Sequence, residues 1–300
     1  MFKRLIIPLD GSLLSEAILP TAIHLAQKLQ AEVTLVHVIE RNAPKQIHGE
    51  PHLSDPAEAQ AYLEAVRARL LPAGIPVQMH VHTTAIADVA RSIVEHAHEF
   101  GSDLVLMCTH GRSGLRKLLF GSIAQQVAAS RVPVLLVHPS GAAPNPAPSG
   151  GAFLIPLDGT VIREQALPVA ASLAQCCGAS LKLLMIVPTL ATLSGAETAS
   201  RILLPATTQE MLDLAHEDAK AYLEKWLLRL GEEGVNASAR IRRGDASSII
   251  AEEARGSGID LIILGTAVRA GMDAFWSGSL APKVSERTQL PVLLLPVQEP

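Results

Sequence analysis

Short apolar runs alternate with helix-period segments along both halves of this 300-residue chain. Lys3 to Leu9 reads as a short buried strand. Asp10-Gly11-Ser12 then turns into a helix on which Leu14, Ala17, Ile18, Thr21, Leu25 and Leu29 recur at helical spacing. Pro20 falls inside that helix and should kink or loosen its first turns. Glu32 to Ile39 is a second strand, and Arg41 to Pro56, without apolar period, is a loop. Ala57–Leu70 and Ala87–Glu99 read as helices, Val77–Val81 and Leu104–Met107 as strands. A helix from about Ile123 to Ala129 and a strand over Val132–Val137 close the half. Strands alternating with helices in this way predict a parallel sheet covered on both faces.

Pro139 to Gly151 is rich in Pro, Gly, Ala and Ser and reads as a linker. After it the pattern restarts. Ile7-Pro8-Leu9-Asp10-Gly11-Ser12 becomes Ile155-Pro156-Leu157-Asp158-Gly159-Thr160, an offset of 148 that also carries Glu16 onto Glu164 and Leu19-Pro20 onto Leu167-Pro168. Ala61-Tyr62-Leu63-Glu64 matches Ala221-Tyr222-Leu223-Glu224 at offset 160, so the second copy holds 12 extra residues before its second helix, within a loop read as Pro188–Gln209. The chain is a tandem duplication. Its domains are expected at 1–138 and 152–300, with 139–151 between them.

Composition sharpens this picture at three points. Aromatics make up only 3% of residues against 48% apolar, so the cores must be aliphatic, which suits parallel strands under helices. A net charge of −4 gives no support to bulk nucleic-acid or anionic-membrane binding. Three cysteines, two of them adjacent, argue against a disulfide framework and for a reducing, cytoplasmic location. No uncharged run approaches membrane-spanning length.

The candidate chemistry lies in the stretch from Met107 through Gly111-Arg112-Ser113-Gly114 to Gly121-Ser122. A glycine-containing loop between a strand and a helix presents backbone N–H groups to an anion. Leu264-Gly265 through Gly278-Ser279 repeats it. Ligands in open α/β sheets sit beyond the carboxyl ends of the strands, where the strand order reverses. There Asp10 can accept hydrogen bonds from ribose hydroxyls, Ser122 can donate to a phosphate, and Gly111 and Gly121 supply N–H groups.

The strand ending in Pro-Leu-Asp-Gly-Ser, the later Thr-His-Gly-Arg-Ser-Gly-Leu followed by Gly-Ser, and the final Val-Pro-Val-Leu-Leu-Val resemble the universal stress protein (UspA-like) family, over both halves. The resemblance implies two tandem open parallel-sheet α/β domains, five strands each in the order 3-2-1-4-5, with helices on both faces. It implies ATP or another adenine nucleotide, with or without Mg2+, in some members. It places Val38 and Met107 against adenine and makes Asp10, Gly111, Gly121, Ser122 and Ile123 the remaining contacts. A weaker second site would comprise Asp158, Ile186, Leu264, Gly265, Gly278 and Ser279. The family's Gly-x2-Gly-x9-Gly-(Ser/Thr) pattern is broken in each half, by Cys108 in the first and Val268 in the second. Valine is ill suited to positive φ and would crowd a phosphate. Arg112, Arg116 and Lys117 flank the first loop, whereas Arg269 in the second is offset by Asp273. Nucleotide is therefore expected mainly in the first domain.

Plainer roles exist for each residue: turn formation for Asp10 and Asp158, capping for Ser122, core packing for Val38 and Met107. No Walker lysine stands beside Gly121-Ser122. His80 and His82 share one strand face but show no third ligand, so no metal is expected. No nucleophile–base–acid set is evident, which leaves at most slow ATP hydrolysis. The competing function is a nucleotide-free interaction protein. It would act through pairing of the strands Val132–Val137 and Leu290–Leu295, in a pseudo-symmetric pairing of the two domains or in a homodimer.

Overall fold

A computed structural model describes residues 1–47, 50–109, 122–139, 150–193, 204–256, 258–267 and 280–298. These form two units. The first comprises Met1–Ser149 with Pro291–Pro296, and the second Gly150–Ala267, Gly278–Leu290 and Val297–Pro300.

In the first unit the run Leu5-Ile6-Ile7 is wholly buried and forms the centre of β1 (Arg4–Pro8). A strand apolar on both faces needs cover on both, and β1 lies mid-sheet. It pairs in parallel with β2 (Glu32–Glu40) on one side and β6 (Leu104–Cys108) on the other. Between β2 and β6 in sequence come a small hairpin, β3 (Gln46–Ile47) and β4 (Glu50–Pro51), and the strand β5 (Val77–Ile86). β5 flanks β2 and β7 (Val134–Val137) flanks β6, giving the order β5-β2-β1-β6-β7. The loop expected over Arg41–Pro56 thus contains a hairpin, and the third strand runs five residues beyond Val81.

The helices are α1 (Leu13–Glu16), α2 (Leu19–Leu29), α3 (Pro56–Leu70), α4 (Val89–Glu99) and α5 (Ser122–Ala128). Pro20 does not kink a continuous helix. It occupies the first turn of α2, where a missing N–H costs nothing, and the break falls at Ala17–Ile18.

The second unit repeats the plan. β8 (Ala152–Leu157) pairs in parallel with β9 (Ser180–Val187) and β11 (Ile259–Ala267), and β10 (Ala237–Arg243) lies outside β9. Its helices are α6 (Val161–Glu164), α7 (Leu167–Cys177, with Pro168 in its first turn), α8 (Pro205–Glu232), α9 (Ala246–Arg255) and α10 (Leu280–Ser285). Both units are α/β folds built on parallel strands.

α8 has 28 residues where α3 has 15. The insertion of the second copy is therefore largely helix, and the loop expected over Pro188–Gln209 is corrected from Pro205 onward. Leu212, Ala219, Leu223, Trp226 and Leu230 are buried at helical spacing along it. Pro205, Thr207 and Thr208 at its start gave no helical signal.

The last strand, β12 (Val292–Val297), lies antiparallel to β7 through Val292↔Leu136, Leu293↔Leu135 and Leu294↔Val134. The sequence reading closes the second domain with this strand, whereas Pro291–Pro296 group with the first unit. Among the described residues no helix is long and apolar enough to cross a membrane.

Candidate functional site

In the first unit the strand order reverses between β1 and β6, and Asp10 stands just past the carboxyl end of β1. Its Oδ1 accepts from Ser12 N at 2.9 Å and from Ser12 Oγ at 2.6 Å. Ser12 Oγ in turn accepts from Ser15 N at 3.1 Å and caps α1. Gly11 between them has φ +92°, a left-handed conformation that glycine takes without strain. The second unit copies the device: Asp158 Oδ1 accepts from Thr160 N at 3.0 Å and Thr160 Oγ1 at 2.6 Å, around Gly159 at φ +79°. Both aspartates therefore do form the turn.

A segment of the first unit's own chain covers this turn. His37 on β2 places Nδ1 2.7 Å from Leu9 O and Nε2 3.1 Å from Leu53 O. Glu50 Oε2 accepts from Leu13 N at 2.8 Å, at the start of α1. The Leu53 side chain rests on Gly11, 2.7 Å from where a Cβ would stand. His52 in the same segment is held below the ordinary histidine range by burial, against the raising effect of Glu40. At Gly159 the nearest atom to such a Cβ is Met185 Cε at 3.6 Å. Gly11→Ala is therefore expected to cost about 2–3 kcal/mol and Gly159→Ala about 1–2 kcal/mol, the common part being backbone strain. Calorimetric melting of the two variants checks this, and equal shifts would show that Leu53 simply moves aside.

Val38 and Met107 are buried at 7% and 5% exposure and serve as core at the ends of β2 and β6. Cys108 is buried, with Sγ 3.7 Å from Ser15 O, so its sulfur is engaged with α1. Burial first, and the Asp10 carboxylate second, push its thiol up to about 12, which removes it as a nucleophile. Gly265, the matching residue, lies within β11 without positive φ, so this position does not demand glycine. Ser122 and Ile123 open α5, Ser122 being exposed. Gly111, Arg112, Arg116, Lys117, Gly121, Val268, Arg269, Asp273, Gly278 and Ser279 lie outside the described residues.

In the second unit, Leu264 is buried and Ile186 half-buried. Arg163 of α6 lies across the equivalent reversal point, between β8 and β11. Its guanidinium donates to Gly265 O and sits 3.6 Å from Asp158 Oδ2. The matching residue in the first unit is Ser15, whose hydroxyl turns back to Ser12 O at 2.8 Å. His37, Leu53 and Arg163 were not singled out from sequence. Only Arg163 left a trace there, as a large cation facing a small serine in the repeat.

A family model described as the universal stress protein family matches residues 1–138 and 152–296. Universal stress protein MJ0531 of Methanocaldococcus jannaschii is 31% identical over 152 residues, covering 46% of this chain and 82% of its own. The crystal structure of a universal stress protein from Archaeoglobus fulgidus has a TM-score of 0.72 at 18% identity, over 98% of both chains. A universal stress protein crystallised in complex with cAMP is 23% identical, covering 46% of this chain and 98% of its own, with a TM-score of 0.36. With the duplicated strand–turn–helix sites and two parallel α/β units already in view, the family model's match over both halves shows that the chain belongs to the universal stress protein family.

Proposed function

We propose that this protein is an adenine-nucleotide-binding stress or signalling module in which the first unit carries the nucleotide and the second does not. The observation that carries this reading is the difference at the two reversal points. In the second unit Arg163 spans Asp158 and Gly265 O, where a ribose would need the carboxylate. In the first unit the same register holds Ser15, which is small and folded back onto Ser12. A carboxylate at the end of β1 fits the hydroxyls of a ribose, and Ser122 at the start of α5 fits a phosphate. The odd count of three cysteines, with Cys176 and Cys177 adjacent, supports a reducing, cytoplasmic setting.

Calorimetric titration of the full chain with ATP, with and without Mg2+, is expected to give one nucleotide per chain. Asp10→Ala should weaken binding at least about tenfold, roughly 1.4 kcal/mol, the scale of one hydrogen bond to a charged group. Asp10→Asn keeps an acceptor for Ser12 and separates loss of charge from loss of the turn. Asp158→Ala should change affinity less than about twofold on the same scale. Equal losses from Asp10→Ala and Asp158→Ala would overturn the ranking of the units.

One observation favours a second reading, a nucleotide-free interaction protein acting through dimerisation. Glu50, His37 and Leu53 hold the Glu50–Leu53 segment over Gly11. Absence of binding heat at millimolar ATP, with no nucleotide carried through purification in native mass spectra, would select it.

A further inference from the structure

Across β2 from β1, β5 and α4 bring together His80, His82 and His96. His80 and His82 are two residues apart on β5 and share a face. His96 lies buried on α4, three residues before Glu99. The three imidazoles each offer a nitrogen, and these nitrogens all lie within 4.8 Å of one another. His96 Nε2 is 3.1 Å from His82 Nδ1, close to the roughly 3.3 Å between two nitrogens on one tetrahedral zinc. The other nitrogen of His96, Nδ1, meets Glu99 Oε2 at 2.9 Å. That contact fixes the ring so that Nε2 faces the cluster, the arrangement in which a carboxylate orients a metal-binding histidine. His80 Nε2 is buried with no hydrogen-bond partner among the described residues. Phe100 stacks on His96, at 5.5 Å and 8°, and edges His80 at 5.1 Å, which limits how the two rings can turn.

The second unit shows what these positions do. His80 pairs with Val36 and His82 with Val38 across β2. In the duplicate, Arg240 pairs with Leu184 and Arg242 with Ile186 across β9. α4 is capped by Asp88 and α9 by Asp245, and eight residues on from each stand His96 and Glu253. The counterparts of the three histidines are thus Arg240, Arg242 and Glu253, and they form a tight ion-pair group: Arg240 Nη1 is 3.0 Å from Glu253 Oε2, and Arg242 Nη1 meets Glu253 Oε1. One unit ties this strand to this helix with opposite charges. The other places three imidazoles there, which can be joined in the same way by a shared cation.

We propose that His80, His82 and His96 form a site for a divalent transition-metal ion, zinc being the best match to three imidazoles with the fourth position left to solvent or an added ligand. The metal ties the edge strand β5 to α4 in the first unit, as the Arg240–Arg242–Glu253 group ties β10 to α9 in the second.

The test is zinc titration of the chelator-stripped full chain against a chromophoric competitor, with Co2+ loading as a spectroscopic readout. One zinc per chain and the visible bands of tetrahedral Co2+ are expected. His80→Ala or His82→Ala should weaken binding at least tenfold, Glu99→Gln about tenfold, and His98→Ala, exposed on the same helix, should leave it unchanged. Substituting His80→Arg, His82→Arg and His96→Glu together installs a triad that the second unit already accommodates. This variant should stay folded by calorimetry and lose the zinc. No zinc and no Co2+ bands in the unmodified chain would overturn the proposal. So would zinc retained with unchanged affinity in the triple variant or, should that variant not fold, in both single alanine variants.

Discussion

Phe153→Ala is expected to destabilise the second unit by about 3–5 kcal/mol, the range for emptying a fully buried aromatic position. Phe153 is 0% exposed near the start of β8, paired with Leu181 on β9 and Leu261 on β11. The chain has five phenylalanines in 300 residues, so the surrounding core is aliphatic and branched. Such side chains, packed at near-crystalline density, cannot spread to fill the space of a lost ring. The first unit supplies a graded control. Its matching residue is Leu5, also 0% exposed near the start of β1. Phe153→Leu therefore introduces the residue that the duplicate uses, and should cost less than about 1.5 kcal/mol. Hydrogen exchange at β8 and β9 amides reads both variants. Similar protection in Phe153→Ala and Phe153→Leu would mean that the strand relaxes around the void.

Acidification from pH 6.5 to pH 4 is expected to remove about 3 kcal/mol from the first unit through His138 alone. This side chain is buried at the end of β7, its Nδ1 2.8 Å from Thr109 Oγ1. Burial holds its pKa down to about 4 against an ordinary 6.5. The sign follows from which state takes the proton first. Above pH 6.5 neither state holds it, and the contribution is complete. Between 6.5 and 4 the unfolded chain is protonated while the folded one is not, so stability drains away as the pH falls. His52, also held down by burial, acts in the same direction. His138→Gln abolishes this titration. Exchange at β6 and β7 amides, followed from pH 7.5 to 4.5, should then lose its steep dependence beyond the chemical rate. An unchanged slope in the variant would assign the acid sensitivity to other groups.

Some of this protein is legible in its sequence, for definite reasons. Leu5-Ile6-Ile7 must be covered on both faces, and only a mid-sheet parallel strand between helices does that. The recurrence of Pro-Leu-Asp-Gly with Ser or Thr at offset 148 revealed the duplication, because both copies need the same carboxylate and left-handed glycine to turn into a helix. The proline two elements on recurred too, although its role as a helix start depends on where the preceding turn ends. Contacts set by packing were hidden. Nothing in sequence aims Leu53 at Gly11, forty-two residues away in number. The face that α4 turns toward β5 decides whether His96 or His98 joins His80 and His82, and both are histidines. Whether the Cys108 position demands glycine is likewise set by geometry, since the duplicate Gly265 is plain extended strand and spends no positive φ.

Translation gives the antiparallel pairing of β12 with β7 a further meaning. The ribosome reaches Val292 only 156 residues after Leu136, its partner across the ladder. At ~5–20 residues per second, that interval lasts about 8–30 s. Throughout it, a nascent chain carries Val134-Leu135-Leu136, almost fully buried in the finished protein, along an open hydrogen-bonding edge. Such an edge is a template for any neighbouring strand on the same polysome. The half of the molecule made first is thus the half that waits longest for protection.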